Sequence, residues 1–172
     1  MNQPKAHIDL SIILITLNEG KRLHDCLSRL PKGSEIIVVD SGSSDETIKI
    51  AETFEAKVIV RAFDDYANQR NASLQHATRN WVFWVDPDEV LSQDLAGQIE
   101  AIAEQKTSSN IAYRIRRKLV FMEKTLKFGK SSDRPLRLFQ RQKGSFVGDI
   151  HETVALQPGR VETLNGELYH YS

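Results

Sequence analysis

The chain has 172 residues, 40% of them hydrophobic and 27% charged. That suits one domain with a single buried core and excludes a disordered or fibrous protein. Lys plus Arg and Asp plus Glu both number 23, so the formal net charge is zero.

The first element is Leu10 to Leu17, a run rich in β-branched residues that reads as a strand buried on both faces. Asn18 follows as a helix cap, and Leu23, Cys26, Leu27 and Leu30 recur with the spacing of an amphipathic helix. Pro31-Lys32-Gly33 ends it, and Glu35 to Val39 is the second strand. Ser43 and Glu46 match a capping box for a helix reaching Phe54. Lys57 to Arg61 is a third strand. Tyr66 to Thr78 is helical, with Ala67, Asn71, Leu74 and Thr78 along one side. Trp81 to Val85 is a fourth strand, and Ser92 caps a helix carrying Leu95, Ile99, Ile102 and Ala103 inward. Strand and helix thus alternate through about residue 105, which predicts an α/β fold: a mainly parallel, Rossmann-like sheet with helices on both faces. Beyond that point Ala112 to Leu119, Arg137 to Phe139 and Leu168 to Tyr171 read as strands. One domain over 1–172 is expected, with 1–105 as one half and 106–172 as the other.

Ligands of open parallel sheets bind beyond the carboxyl ends of the strands. Thr16, Asn18 and Glu19 follow the first strand there, Asp40-Ser41-Gly42-Ser43-Ser44-Asp45 the second, and Asp86-Pro87-Asp88-Glu89 the fourth. Two carboxylates one residue apart can reach a single hard cation, and oxygen ligands suit Mg²⁺ or Mn²⁺. The same tripeptide is also ordinary turn chemistry, and its place after a buried strand favours the site. Ser43 and Asp45 have helix-capping duties, whereas Asp40 has none and is expected to contact ligand. There is no Walker loop, Gly-x-Gly-x-x-Gly, zinc spacing or Gly-x-Ser-x-Gly elbow.

Charge is unevenly spread. Residues 112–144 carry 11 basic and 2 acidic side chains, a surface suited to phosphates or an anionic membrane surface. Few aromatics interleave with these charges, so nucleic acid is not expected as a partner. The lone Cys26 excludes an internal disulfide framework and points to a cytoplasmic setting. No apolar run reaches the ~20 residues of a membrane helix, and Met1 to Lys5 lacks the apolar core of a secretion signal.

Ile15-Thr16-Leu17-Asn18-Glu19, Val38-Val39-Asp40-Ser41-Gly42-Ser43, Gln69-Arg70-Asn71 and Trp84-Val85-Asp86-Pro87-Asp88-Glu89, with Asp133-Arg134-Pro135-Leu136-Arg137-Leu138-Phe139 and His151-Glu152, resemble glycosyltransferase family 2 in order and spacing. The resemblance is to the inverting GT-A type, and most strongly to bacterial lipopolysaccharide core enzymes of the β-1,4-glucosyltransferase-related group. It implies a GT-A fold, a nucleotide-diphosphate sugar donor, in particular a UDP-sugar, and a glycolipid or polysaccharide acceptor. It implies that Thr16, Asn18, Glu19 and Asp40 line the nucleotide pocket, with Asp40 on the base, and that Arg70 and Gln69 reach the donor. Asp88, with Asp86 alongside, would hold the metal on the diphosphate, joined by His170. Glu152 is the first candidate for the base that deprotonates the acceptor, and Asp133 the second. The sequence departs from the family at Pro87, where a small residue is usual, and it stops short of the family's helices on the acceptor side. A catalytically inactive or truncated nucleotide-binding domain of the same fold is the alternative, and a nucleotidyltransferase a more distant one.

Overall fold

The computed structural model describes residues 7–121, 124–125, 132–148 and 151–171. Its elements in chain order are β1 (Leu10–Thr16), α1 (Gly20–Ser28), β2 (Glu35–Asp40), α2 (Thr47–Thr53), β3 (Lys57–Val60), α3 (Tyr66–His76), β4 (Trp81–Trp84), β5 (Glu89–Leu91) and α4 (Gln93–Ala103). They continue with β6 (Asn110–Phe121), β7 (Lys124–Thr125), β8 (Ser132–Asp133), β9 (Leu136–Gln140), β10 (Gly144–Val147), β11 (Thr153–Leu156) and β12 (Arg160–Tyr171). The expectations for Met1 to Lys5 and for Ser172 fall outside the described residues.

Alternate residues of the central strands feed two separate cores, which is why β1 reads as a continuous apolar run. Ile12, Leu14, Val38 and Phe83 pack with Leu23, Cys26 and Leu27 of α1, Ala51 of α2, and Leu95 and Ile99 of α4. Ile13, Ile37, Val82 and Trp84 face the other way, against Ala67 of α3 and Phe146 of β10. Helices therefore cover both faces, as predicted. Each fully buried Ile or Leu contributes about 1.5–3 kcal/mol, so neither face can be uncovered cheaply.

The sheet order is β3-β2-β1-β4-β9-β6-β12-β5, with β7 and β8 pairing on β6. The first four strands are parallel. β9 runs antiparallel to both β4 and β6, while β6 and β12 are parallel and β5 is antiparallel to β12. Three strands thus lie between β4 and β5, although only Val85 to Asp88 connect them. Four strand spacings of about 4.8 Å make about 19 Å in a flat sheet, more than the roughly 17–18 Å that five extended residue steps can reach. The sheet therefore curls, and the curl holds the Asp86-Pro87-Asp88 turn across its mouth.

Several local expectations are corrected. Asn18 does not cap α1: it has φ of 54° and accepts from the Ser44 amide, while its own amide donates to Ser43 Oγ, both at 2.8 Å. The Ser43–Glu46 capping box does not form either, because Asp45 Oδ1 accepts from the Thr47 amide instead. The loops after β1 and β2 lie side by side and satisfy each other's polar groups. Ser92 does cap α4, accepting from the Leu95 amide at 3.1 Å. α3 ends at His76, short of the predicted Thr78; it buries Ala67, Gln69, Arg70 and Ser73, and of the predicted side Ala67 and the half-buried Leu74 pack into the second core. β5, β10 and β11 are additional strands, and β12 starts at Arg160 where only Leu168 to Tyr171 was expected. At its bulge, a Cβ on Gly166 would lie 2.5 Å from Leu95 Cα, so only glycine lets α4 approach this strand.

Candidate active site

The turn after β4 is built into a buried chain of alternating charges. Asp86 Oδ1 accepts from Arg70 Nη2 at 2.6 Å, and Oδ2 from Arg137 Nη2 at 3.4 Å. Both guanidinium groups lie over the Trp84 ring, at 4.2 and 3.7 Å from its centroid, where a desolvated cation is attracted to the indole face. Arg137, 1% exposed, also donates at 2.7 Å to Glu89, which has no exposed surface. Glu89 accepts from the Asp86 amide at 3.0 Å and lies 3.6 Å from Arg117. Arg117 in turn grips Asp133 through two bonds of 2.9 and 2.7 Å. At the other end, Arg70 Nε donates to Glu152 at 2.9 Å. Burial alone would raise the Asp86 pKa, but Arg70 and Arg137 outweigh it and hold the carboxyl well below the usual range. For Glu89 burial prevails over Arg137, and its pKa is raised.

Asp88 faces a different partner. His170, near the end of β12, places Nε2 3.1 Å from Asp88 Oδ2. The pairing of His170 with Glu89 across β12 and β5, and the bond from the Tyr171 amide to the Asp88 carbonyl at 2.9 Å, fix that approach. The hydrogen bond to Asp88 raises the His170 pKa, against the opposing effect of burial. A carboxylate oxygen beside an imidazole nitrogen is a donor set that Mn²⁺ or Mg²⁺ accepts when substrate phosphates and water complete the shell, so these two residues fit a divalent cation. Asp86 lines the same cavity as these two residues, and both its oxygens face guanidinium groups. Among the described residues no group of three or more His, Cys, Asp or Glu side chains forms a complete cage.

A cavity of about 620 Å³ opens beyond the carboxyl ends of β1 and β4. Thr16, Glu19, Arg70, Asp86, Asp88, Glu152 and His170 all line it, so the fold gathers seven expected site residues from segments far apart in sequence. Burial raises the Glu19 pKa against the effect of Arg22, and Asp88 and Asp86 add to the rise.

The remaining candidates are placed otherwise. Asp40 is fully buried, and its carboxylate accepts from the amides of Gly42 and Ser43 and from the hydroxyls of Thr16 and Ser43. Burial would raise its pKa, yet these four bonds hold it below the usual value. Asp40 thus ties the loop after β2 to the end of β1. Gln69 is also buried and braces that loop, donating to Ser41 Oγ and the Arg61 carbonyl, both at 3.1 Å. Asn18 joins the two loops as described, outside the cavity lining. Asp133 pairs with Arg117 away from the cavity. His151 is exposed and does not line the cavity.

Sequence reasoning gave no role to Glu89 and Arg137, although both lie in motifs it singled out; their meeting depends on the curl. The basic stretch is also partly neutralised by acidic partners, since Arg117, Lys118 and Arg137 pair with Asp133, Glu167 and Glu89. Among the described residues no helix is long and apolar enough to cross a membrane.

Comparison with known proteins fits this architecture. Solved structures with the same fold include Staphylococcus aureus TarS 1–349 in complex with UDP-GlcNAc, with a TM-score of 0.64 at 16% identity over 95% of this chain and 58% of that one. Another is the mannosyltransferase PcManGT of Pyrobaculum calidifontis in complex with GDP-Man and Mn²⁺, with a TM-score of 0.54 at 17% identity over 81% of this chain and 48% of that one. The fold is thus of the GT-A class. Residues 11–157 match the family model described as Glycosyl transferase family 2, and the chain belongs to that family. An uncharacterized glycosyltransferase of Rickettsia typhi is 32% identical over 176 residues, covering 95% of this chain and 60% of the relative. The lipopolysaccharide core biosynthesis glycosyltransferase LpsC of Rhizobium meliloti is 26% identical over 178 residues, covering 95% and 63%. The chain thus spans about 60% of the length of the curated relatives it matches.

Proposed function

We propose that this chain carries the donor site of a metal-dependent, inverting glycosyltransferase that moves a sugar from a UDP-sugar to a lipopolysaccharide-core, lipid-linked or polysaccharide acceptor. The observation that carries the reading is the convergence of Arg70, Asp88, Glu152 and His170 on one cavity at the strand ends. Residues 1–105 supply most of the nucleotide side, and 106–172 supply Glu152 and His170. The choice of UDP is supported by the UDP-GlcNAc complex of TarS, and the acceptor class by the similarity to LpsC. An acceptor of that class goes with a cytoplasmic setting and a peripheral contact, through exposed cations such as Arg114 and Arg134, with an anionic membrane surface.

Asp88 and His170 would hold the divalent cation, which when bound offsets charge on the departing nucleoside diphosphate. Arg70 adds a fixed positive charge on the same side. Its Nη1 is buried and has no protein partner among the described residues, so it can donate to a diphosphate oxygen. Asp86 holds Arg70 in place. Glu152 accepts the proton of the acceptor hydroxyl as that oxygen attacks the anomeric carbon from the face opposite the diphosphate, which inverts the centre. In the structure Glu152 accepts from Arg70 Nε, so a diphosphate that draws on Arg70 would also loosen its hold on Glu152.

Calorimetric titration with UDP, GDP and CDP, each with and without Mn²⁺, tests the reading. Metal-dependent binding of UDP is expected. Binding of none of the three would remove the donor site.

A further inference from the structure

Glu152 reaches the cavity from a hairpin that stands apart from the large sheet. Strands β10 and β11 pair with each other, Phe146 opposite Val154 and Val147 opposite Thr153, and among the described residues neither joins the ladder of the large sheet. Glu152 lies one position before β11. A two-stranded hairpin is marginally stable by itself, so the place of its carboxylate depends on what docks the hairpin to the body. The Phe146 ring supplies one anchor, set edge-on to Trp84 and Phe139 with centroids 5.6 and 5.9 Å away. Apolar contact is non-directional, so it holds the hairpin down without fixing its position along α3.

Asn71 supplies a directional contact. Its side-chain nitrogen donates to the Phe146 carbonyl at 2.8 Å, and its side-chain oxygen accepts from the Phe146 N–H at 2.9 Å. The amide thus pairs with β10 as a residue of a neighbouring strand would, using one donor and one acceptor at once. Gln69, Arg70 and Asn71 are consecutive in α3, and a helical step of about 100° aims each in a different direction. Gln69 bonds to Ser41 in the loop after β2, Arg70 to Asp86 and Glu152, and Asn71 to β10. Less than one turn of helix therefore ties three separate parts of the site into a fixed relation.

We infer that Asn71 is the positioning residue for Glu152, holding the hairpin to α3 so that the carboxylate stays aimed into the cavity. The path from one to the other is short, because Val154, the cross-strand partner of Phe146, is two positions from Glu152. Arg70 grips the same carboxylate from the neighbouring position, but a diphosphate that draws on Arg70 loosens that grip. The bonds from Asn71 go to backbone and are untouched by the ligand, so they keep Glu152 in place while donor is bound. Only a side chain that carries both a donor and an acceptor can make them. The inference rests on the reading of Glu152 as the base and adds the residue that aims it.

The test reads UDP release from UDP-glucose, UDP-galactose and UDP-GlcNAc with Mn²⁺ and water as acceptor, beside calorimetric titration with UDP. Asn71→Asp keeps the shape of the side chain but loses the donor, and Asn71→Ala loses both bonds. Each should lower kcat about 10- to 100-fold, the scale of a misplaced catalytic group. KM for the sugar nucleotide and UDP affinity should stay unchanged, which a general loss of structure would not allow. In a Glu152→Gln background Asn71→Ala should cause little further loss, because both substitutions act through one carboxylate. Wild-type kcat in both Asn71 variants would overturn the inference, as would UDP affinity that falls in step with kcat. An equal loss in the Glu152→Gln background would also overturn it, since Asn71 would then act by another route. If Glu152→Gln by itself leaves kcat unchanged, the reading of Glu152 as the base fails, and the positioning role with it. A wild type that turns over none of the three sugar nucleotides loses the catalytic reading and this inference together.

Discussion

His170 lies 3.1 Å from Asp88 although 82 positions separate them. Strand β12 returns beside β5, the short strand that begins where the acidic turn ends, and this pairing sets the imidazole against the carboxylate. Asp88→Ala should abolish the Mn²⁺ dependence of UDP binding, and His170→Ala should weaken Mn²⁺ by at least about tenfold. Both side chains are partly exposed, so circular dichroism should show an intact fold in each variant. UDP affinity and metal dependence that stay unchanged in Asp88→Ala would rule out the metal assignment.

Glu152→Gln separates proton transfer from donor binding. The amide cannot accept the acceptor proton, so kcat should fall by about 10²- to 10⁴-fold, with UDP affinity little altered in titration. A loss of UDP affinity with kcat retained would make Glu152 a positioning residue for Arg70 and not the base.

Arg137 joins the buried Glu89 to Asp86, so its removal leaves an uncompensated charge inside the protein. Arg137→Met should lower the unfolding free energy by about 3–5 kcal/mol, measured by urea titration. The double variant Arg137→Met with Glu89→Leu should recover much of that loss, because it removes the stranded charge as well. A double variant no more stable than the single one would show that the guanidinium acts through its contact with Trp84 and Asp86.

Glu35 gives a pH-dependent prediction. Burial works to raise its pKa, but hydrogen bonds from Ser11 and from the Thr78 amide and hydroxyl outweigh it and hold the carboxyl below the ordinary 4.5. A carboxyl whose pKa is lower in the folded state stabilises the fold above its unfolded value, and that stabilisation disappears as pH falls through the folded value. Glu35→Gln should therefore be less stable than wild type at neutral pH. The gap should narrow below about pH 4.5, followed by thermal unfolding across a pH series. A gap independent of pH would assign the effect to packing.

The fold of the first hundred residues was legible because its signals are local. The apolar run of β1, the period of Leu23, Cys26 and Leu27, and the Ser92 cap each declare an element within a few residues. β12 gives no such signal: its first four residues, Arg160 to Thr163, are exposed and mostly polar, and it becomes a strand only because β6 pairs with it. β5 has three residues and could not be read by period. The loop polar groups misled for a related reason, since Asn18 and Ser43 are good caps in isolation and here bond to each other's loops.

The sequence by itself determined the alternation of strands and helices, the two-faced burial of β1, and the acidic turn at a strand end, because hydrophobic period and turn chemistry are written along the chain. Only the tertiary structure decided what each acidic group does. Helix α3 brings Arg70 onto Asp86, the curl of the sheet brings Arg137 onto Asp86 and His170 onto Asp88, and the adjoining loops enclose Asp40. Two aspartates one residue apart are alike in sequence and differ entirely in surroundings, since a carboxylate's role follows from the charges and donors within a few ångströms of it, and most of those come from the far end of the chain.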